Sequence, residues 1–162
     1  MFDKFGEFDS CEEINRAAKA QLEEGDLEAI RTIAEENGLD LEDAEDFCTG
    51  AIEELTTPCL AAIGKLELEA KDLKLEGVLK DWTDSIKQSC MENEEMALAV
   101  RKKGKSLKDC MAMILKKAFG EKTQLDDRIT KAAGLRPPLY ISIPGKAQIK
   151  EIVRKYYLGE KK

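Results

Sequence analysis

No histidine occurs anywhere in the 162 residues. That absence removes Ser-His-Asp and Cys-His nucleophile activation, and it takes from any zinc site its usual nitrogen ligand. The five cysteines, Cys11, Cys48, Cys59, Cys90 and Cys110, are odd in number, widely separated and without a C-x-x-C pair. They read as small core residues of a reducing compartment, not as a disulfide framework or a metal cage. Prolines number only four and aromatics make up 6% of the chain, while 36% is charged. That balance favours amphipathic helices over sheets. No run approaches the roughly 18 apolar residues of a membrane span, and "MFDKFGEFDS" lacks the apolar centre of a signal peptide. The expected location is cytoplasmic, with no membrane partner.

One more absence concerns charge. Between Arg31 and Lys65 there is no positive residue, while acids crowd the same stretch. Residues 1–98 hold 9 lysines and arginines against 27 acids, a net −18; residues 99–162 hold 17 against 6, a net +11. The chain divides into an acidic helical half, 1–98, and a basic helical half, 99–162, expected to pack as one domain. Segregation of this kind steers partners of opposite sign but says little about fold.

Helix punctuation is dense. Ser10 with Glu13 opens a helix to about Glu24, closed by Gly25; Asp26 opens a second to Glu36; Asp40 opens a third, expected to reach Leu55. Thr57 and Pro58 start a fourth, and Gly64 and Gly77 suggest breaks in the long helical stretch after Pro58. Asn93 and Ser106 cap two more, Ser106 with Asp109 in the manner of a capping box. Only "LYISI", residues 139–143, reads as extended, before Pro144 opens the last helix. The fold class is all-α, a multi-helix bundle of about seven to nine helices with at most one short extended segment near 139–143.

Motifs that would name a reaction are missing. "GKS" at Gly104–Ser106 imitates the end of a phosphate-binding loop, but Ala99 stands where its first glycine belongs and no buried strand precedes it. A calcium loop counted from Asp40 has Glu45 where it needs glycine. Glu69 and Lys71 imitate a nuclease E-x-K element inside a helical pattern. "DRITKAAGLRPP" imitates half of a helix-turn-helix, but Pro137 and Pro138 fall where the recognition helix should begin. No catalytic residue, metal or cofactor is therefore assigned, and the chain reads as a protein that binds rather than catalyses.

Two charged surfaces are the candidates. Glu42, Asp43, Asp46, Glu53 and Glu54 form the acidic one, whose plain alternative is a solvated outer face. Lys102, Lys103, Lys105, Lys108, Lys146, Lys150 and Arg154 form the basic one, suited to phosphates. The runs "VRKKGKSLKDCMAMILKKAF", "ITKAAG", "IPGKAQIKEIVRKYYLG", "EENGLDLEDAEDF" and "TPCLAAIGKLELEAKDL" resemble small uncharacterised acidic proteins of conjugative and other mobile elements of gut Firmicutes. The C-terminal third is loosely similar to PcfK-like conjugation-associated proteins. The resemblance implies a mobile-element setting and protein partners. It makes an anti-defence inhibitor of the anti-CRISPR type the leading expectation, with its acidic face on a nuclease or another nucleic-acid-handling host protein. A nucleic-acid-binding accessory factor using the basic half is the alternative, and self-association through the opposite charges is the rival use of both faces.

Overall fold

The computed structural model describes residues 4–159. Among them the chain forms, in order, α1 (Cys11–Glu24), α2 (Leu27–Glu36), α3 (Leu41–Thr49), α4 (Pro58–Asp72), α5 (Val78–Glu92), α6 (Glu94–Arg101), α7 (Leu107–Gly120), β1 (Thr123–Gln124), α8 (Asp127–Ala132), β2 (Tyr140–Ile141) and α9 (Lys146–Leu158). It is a multi-helix bundle carrying one very small antiparallel sheet, in which Thr123 lies opposite Ile141 and Gln124 opposite Tyr140.

The caps work as hydrogen-bond acceptors for otherwise orphaned backbone donors. Ser10 Oγ accepts from Glu13 N at 3.1 Å, Thr57 Oγ1 from Leu60 N at 3.2 Å, and Ser106 Oγ from Asp109 N at 3.1 Å. The reciprocal half of a box at Ser106 is replaced by a long-range contact, since Ser106 N donates to the Tyr156 hydroxyl at 2.7 Å.

Three expectations need correction. The third helix stops at Thr49 because Gly50 adopts φ 80°, and Ala51 N turns back to Asp46 O at 2.8 Å. Residues 51–55 form a bend in which Leu55 is buried in the core and Ile52 packs half-buried against it, so Glu53 and Glu54 are not on α3. Gly64 does not break α4. A Cβ there would stand 2.5 Å from Asn37 O and 2.9 Å from Gly38 O, so this glycine lets the helix backbone cross the α2–α3 turn in near contact. The extended segment at 139–143 is paired, through β2, with the unforeseen strand β1.

Two apolar clusters flank α4. One joins Ile14 and Ala18 of α1, Ile30 and Ile33 of α2, Phe47 of α3, Leu55 and Ala61. The other joins Leu66, Trp82 and Ile86, Val100, Leu107 and Ile114, and Ile152 and Val153 of α9. Packing thus changes over within α4, whereas the charge boundary at residue 98 falls inside α6. Cys11, Cys90 and Cys110 are buried, Cys48 and Cys59 half-buried, and all are free thiols. Burial pushes Cys90 and Cys110 up to about 12, which keeps them protonated and unreactive at neutral pH.

Candidate functional site

The acidic surface is built by α2, α3 and the bend after α3. Both helices point their small and branched residues inward, Ala29, Ile30, Ile33 and Ala34 on α2 and Ala44 and Phe47 on α3. The outward positions are mostly acidic, with Leu27 and Arg31 among them, and amphipathic periodicity leaves such positions to solvent. Glu28, Glu35, Glu42, Glu45 and Asp46 are exposed, and Asp43 is half-buried. Arg31 reaches Glu45 at 3.9 Å, and Lys19 of α1 pairs with Glu54. Among the described residues no cation lies within ion-pair distance of Glu35, Glu42, Asp43, Asp46 or Glu53. The structure therefore brings Glu42, Asp43 and Asp46 together on α3. Glu53 stands in the bend with its charge unpaired, and Glu54 is tied to α1.

The basic residues are divided by the fold. Lys102 and Lys103 lie exposed between α6 and α7, and Lys108 is exposed in the first turn of α7. Lys105 is engaged inside the molecule: its ammonium donates to Tyr156 O at 2.6 Å and sits 4.9 Å above the Tyr156 ring. On α9, Lys146, Lys150 and Arg154 recur every four residues and stay exposed. Among the described residues none of the three has a carboxylate within ion-pair distance. Lys105 meets α9 at Tyr156, and Lys146 lies about 15 Å back along the helix axis at 1.5 Å per residue. Lys146 instead shares a cleft with Asp81 and Asp84 of α5.

A buried cation hub was missed by sequence reasoning. Arg101, only 3% exposed, donates from Nε to Phe8 O at 3.0 Å, from Nη1 to Ala61 O at 3.2 Å, and from Nη2 to the Asn37 side-chain oxygen. Lys65, 4% exposed, donates to Lys105 O at 2.7 Å, Lys102 O at 2.9 Å and Arg101 O at 3.5 Å, with Glu7 3.4 Å away. Lys65 satisfies carbonyls at the end of α6 and in the basic loop after it, and with Arg101 sews residues 7–8, the α2–α3 turn and α4 to that region. Burial lowers the Arg101 pKa, an effect opposed by Glu7 and Glu69. Glu69, which accepts from Leu107 N at 3.2 Å, is raised by burial against the pull of Lys65 and that hydrogen bond. The signal was present in the periodicity. Arg101 follows Ala97 by four residues on the inward stripe of α6, and Lys65 follows Ala61 likewise on α4.

Among the described residues no three cysteine, aspartate or glutamate side chains are grouped so as to hold a metal ion. No helix among them is long and apolar enough to cross a membrane. Compared with family models, curated proteins and solved structures, the chain matches none.

Proposed function

We propose that this chain is a non-enzymatic interaction protein of a mobile element, an anti-defence inhibitor that docks on a nucleic-acid-handling host protein. The observation that supports this reading is the α2–α3 surface, where Glu35, Glu42 and Asp46 stand exposed and unpaired. A face of that sign is repelled by nucleic acid and attracted to the basic grooves that hold it, which speeds encounter with such a protein. The test is competition. The purified chain should displace a labelled DNA fragment from a host nuclease complex, and Glu35→Lys, Glu42→Lys, Asp46→Lys together should abolish displacement while the helical circular dichroism is retained. Displacement that survives the triple change, or is absent across the nuclease systems of the host, overturns the proposal.

A second reading has its own observation. Lys146, Lys150 and Arg154 are exposed, unpaired and one turn apart on α9, a spacing that follows a phosphate backbone without reading bases. In this reading the chain is a nucleic-acid-binding accessory factor. Mixed-sequence DNA should then bind at low salt and be released steeply as salt rises; no binding at low salt removes it.

A further inference from the structure

The segment from the end of α7 to the start of α9 leaves the bundle as an arm. Of residues 121–145 only Thr130 and Pro144 are buried. Six large apolar side chains stand exposed on it or at its root: Phe119 (70% exposed), Ile129, Leu135, Tyr140, Ile141 and Ile143 (68%). The arm's own framework is slight: the short helix α8, two residues per strand, and a hydrogen bond from Leu125 N to Leu139 O at 2.8 Å that extends the strand pairing. A two-stranded unit of this size is marginal in water unless another surface packs on it, and six exposed large apolar side chains within 25 residues are the material of a contact surface.

Charge selects what covers it. Arg128 pairs with Asp126, and Lys117 with Glu121. Among the described residues Lys122, Lys131 and Arg136 have no carboxylate within ion-pair distance. The arm is therefore apolar with a rim of three unpaired cations and, among the described residues, one unpaired acid, Asp127, which fits a predominantly acidic protein surface. The same chain supplies one. The α2–α3 face carries Glu35, Glu42 and Asp46 unpaired, and Leu27 exposed at the start of α2. We infer that the arm of one copy docks on the α2–α3 face of a second copy. A two-fold arrangement makes both contacts at once, each copy giving its arm and receiving the other's, so that association closes at the dimer. Four exposed aliphatic side chains on the arm favour this occupant over a nucleic-acid strand, which would call for aromatic stacking along a cationic groove.

Sedimentation velocity on the full chain over the micromolar range tests this without any host component; the inhibitor reading uses the same face, and a variant of the arm separates the two, since it should lose the dimer while keeping that face free to displace DNA from a nuclease. Wild type should dimerise at low salt and dissociate as salt rises. An arm variant, Lys122→Glu, Lys131→Glu, Arg136→Glu, should be monomeric, and so should a face variant, Glu35→Lys, Glu42→Lys, Asp46→Lys. Each should raise the dissociation constant about tenfold or more. The decisive sample is the equimolar mixture, in which every arm again meets a face of opposite sign: it should recover the dimer, which unfolded variants cannot do. Phe119→Ser with Ile143→Ser should weaken the dimer without removing its salt dependence. A wild type that stays monomeric, a mixture that does not recover, or an arm variant that only loses DNA binding overturns the inference.

Discussion

Arg101 and Lys65 on one side, and Lys146, Lys150 and Arg154 on the other, are the same kinds of residue put to opposite uses. The first two are almost wholly buried, and between them they contact five backbone carbonyls, one amide oxygen and Glu7. The α9 residues stand in solvent one turn apart, with no carboxylate within ion-pair distance among the described residues. A count of positive charges treats the two groups alike. The comparison shows that part of the basic island closes the fold and only the remainder is free to meet a partner. Buried cations gain from fixed acceptors in a low dielectric but are costly when those acceptors are removed, while exposed ones are screened and nearly neutral for stability.

The largest effect should come from removing a buried cation. Arg101→Ala leaves Phe8 O, Ala61 O and the Asn37 amide oxygen without their donor; at roughly 1–3 kcal/mol for each unsatisfied group, partly relieved by water, about 3–5 kcal/mol of stability should be lost. Urea unfolding would show it as a lower midpoint. Arg101→Lys should recover little, because a single ammonium cannot span three acceptors set for a fork. An unchanged midpoint in Arg101→Ala would collapse the distinction between the two groups.

Next in size is the backbone crossing beneath the hub. Gly64→Ala places a methyl against Asn37 O and Gly38 O and should cost about 1–3 kcal/mol. Gly120→Ala, with open space around it, should change the midpoint little. Equal midpoints for the two variants would show that α4 does not need the close approach.

Glu69 gives a pH-dependent test at the rim of the hub. Its pKa in the fold is raised above 4.5, chiefly by burial, so the native state holds that proton more tightly than the unfolded chain. Its contribution to stability is then greatest at low pH and declines as pH climbs from about the unfolded pKa through the folded one. Glu69→Gln, which can still accept from Leu107 N, should flatten that decline in urea midpoints measured from acid to neutral pH and leave the variant the more stable at neutral pH. A steeper decline would mean that Lys65 and Arg101 hold the carboxylate more strongly than burial opposes it.

The smallest effect on stability belongs to α9. Lys146→Gln, Lys150→Gln, Arg154→Gln together should alter stability by no more than about 0.5 kcal/mol per site. If the stripe contacts phosphates, the same triple variant should lower the salt slope of DNA binding by roughly 2–3. A large loss of stability would move these cations into the structural group.

The local decisions are legible because their causes lie within a few residues. Ser10, Asp26, Asp40, Thr57, Asn93 and Ser106 accept hydrogen bonds from backbone donors two or three positions ahead. The apolar stripes of α5, α6 and α9 repeat at helical spacing, which is why Ile86, Val100 and Val153 read as inward-facing and are buried. Gly50 carries a signal of its own that the periodicity masks: the acids and apolar residues beyond it keep the helical period, but its left-handed backbone ends the helix.

What the sequence by itself determined is thus the helical class, most helix starts and the opposed charges of the two halves, since capping and periodicity act over one or two turns and charge is additive. What only the tertiary structure decided is which cations face inward, why Gly64 sits inside a helix, and that residues 123–124 find 140–141. Arg101 meets Phe8 from 93 positions away and Lys65 meets Lys105 from 40. Such partners are chosen by how whole helices pack, and no short-range pattern in the chain specifies that.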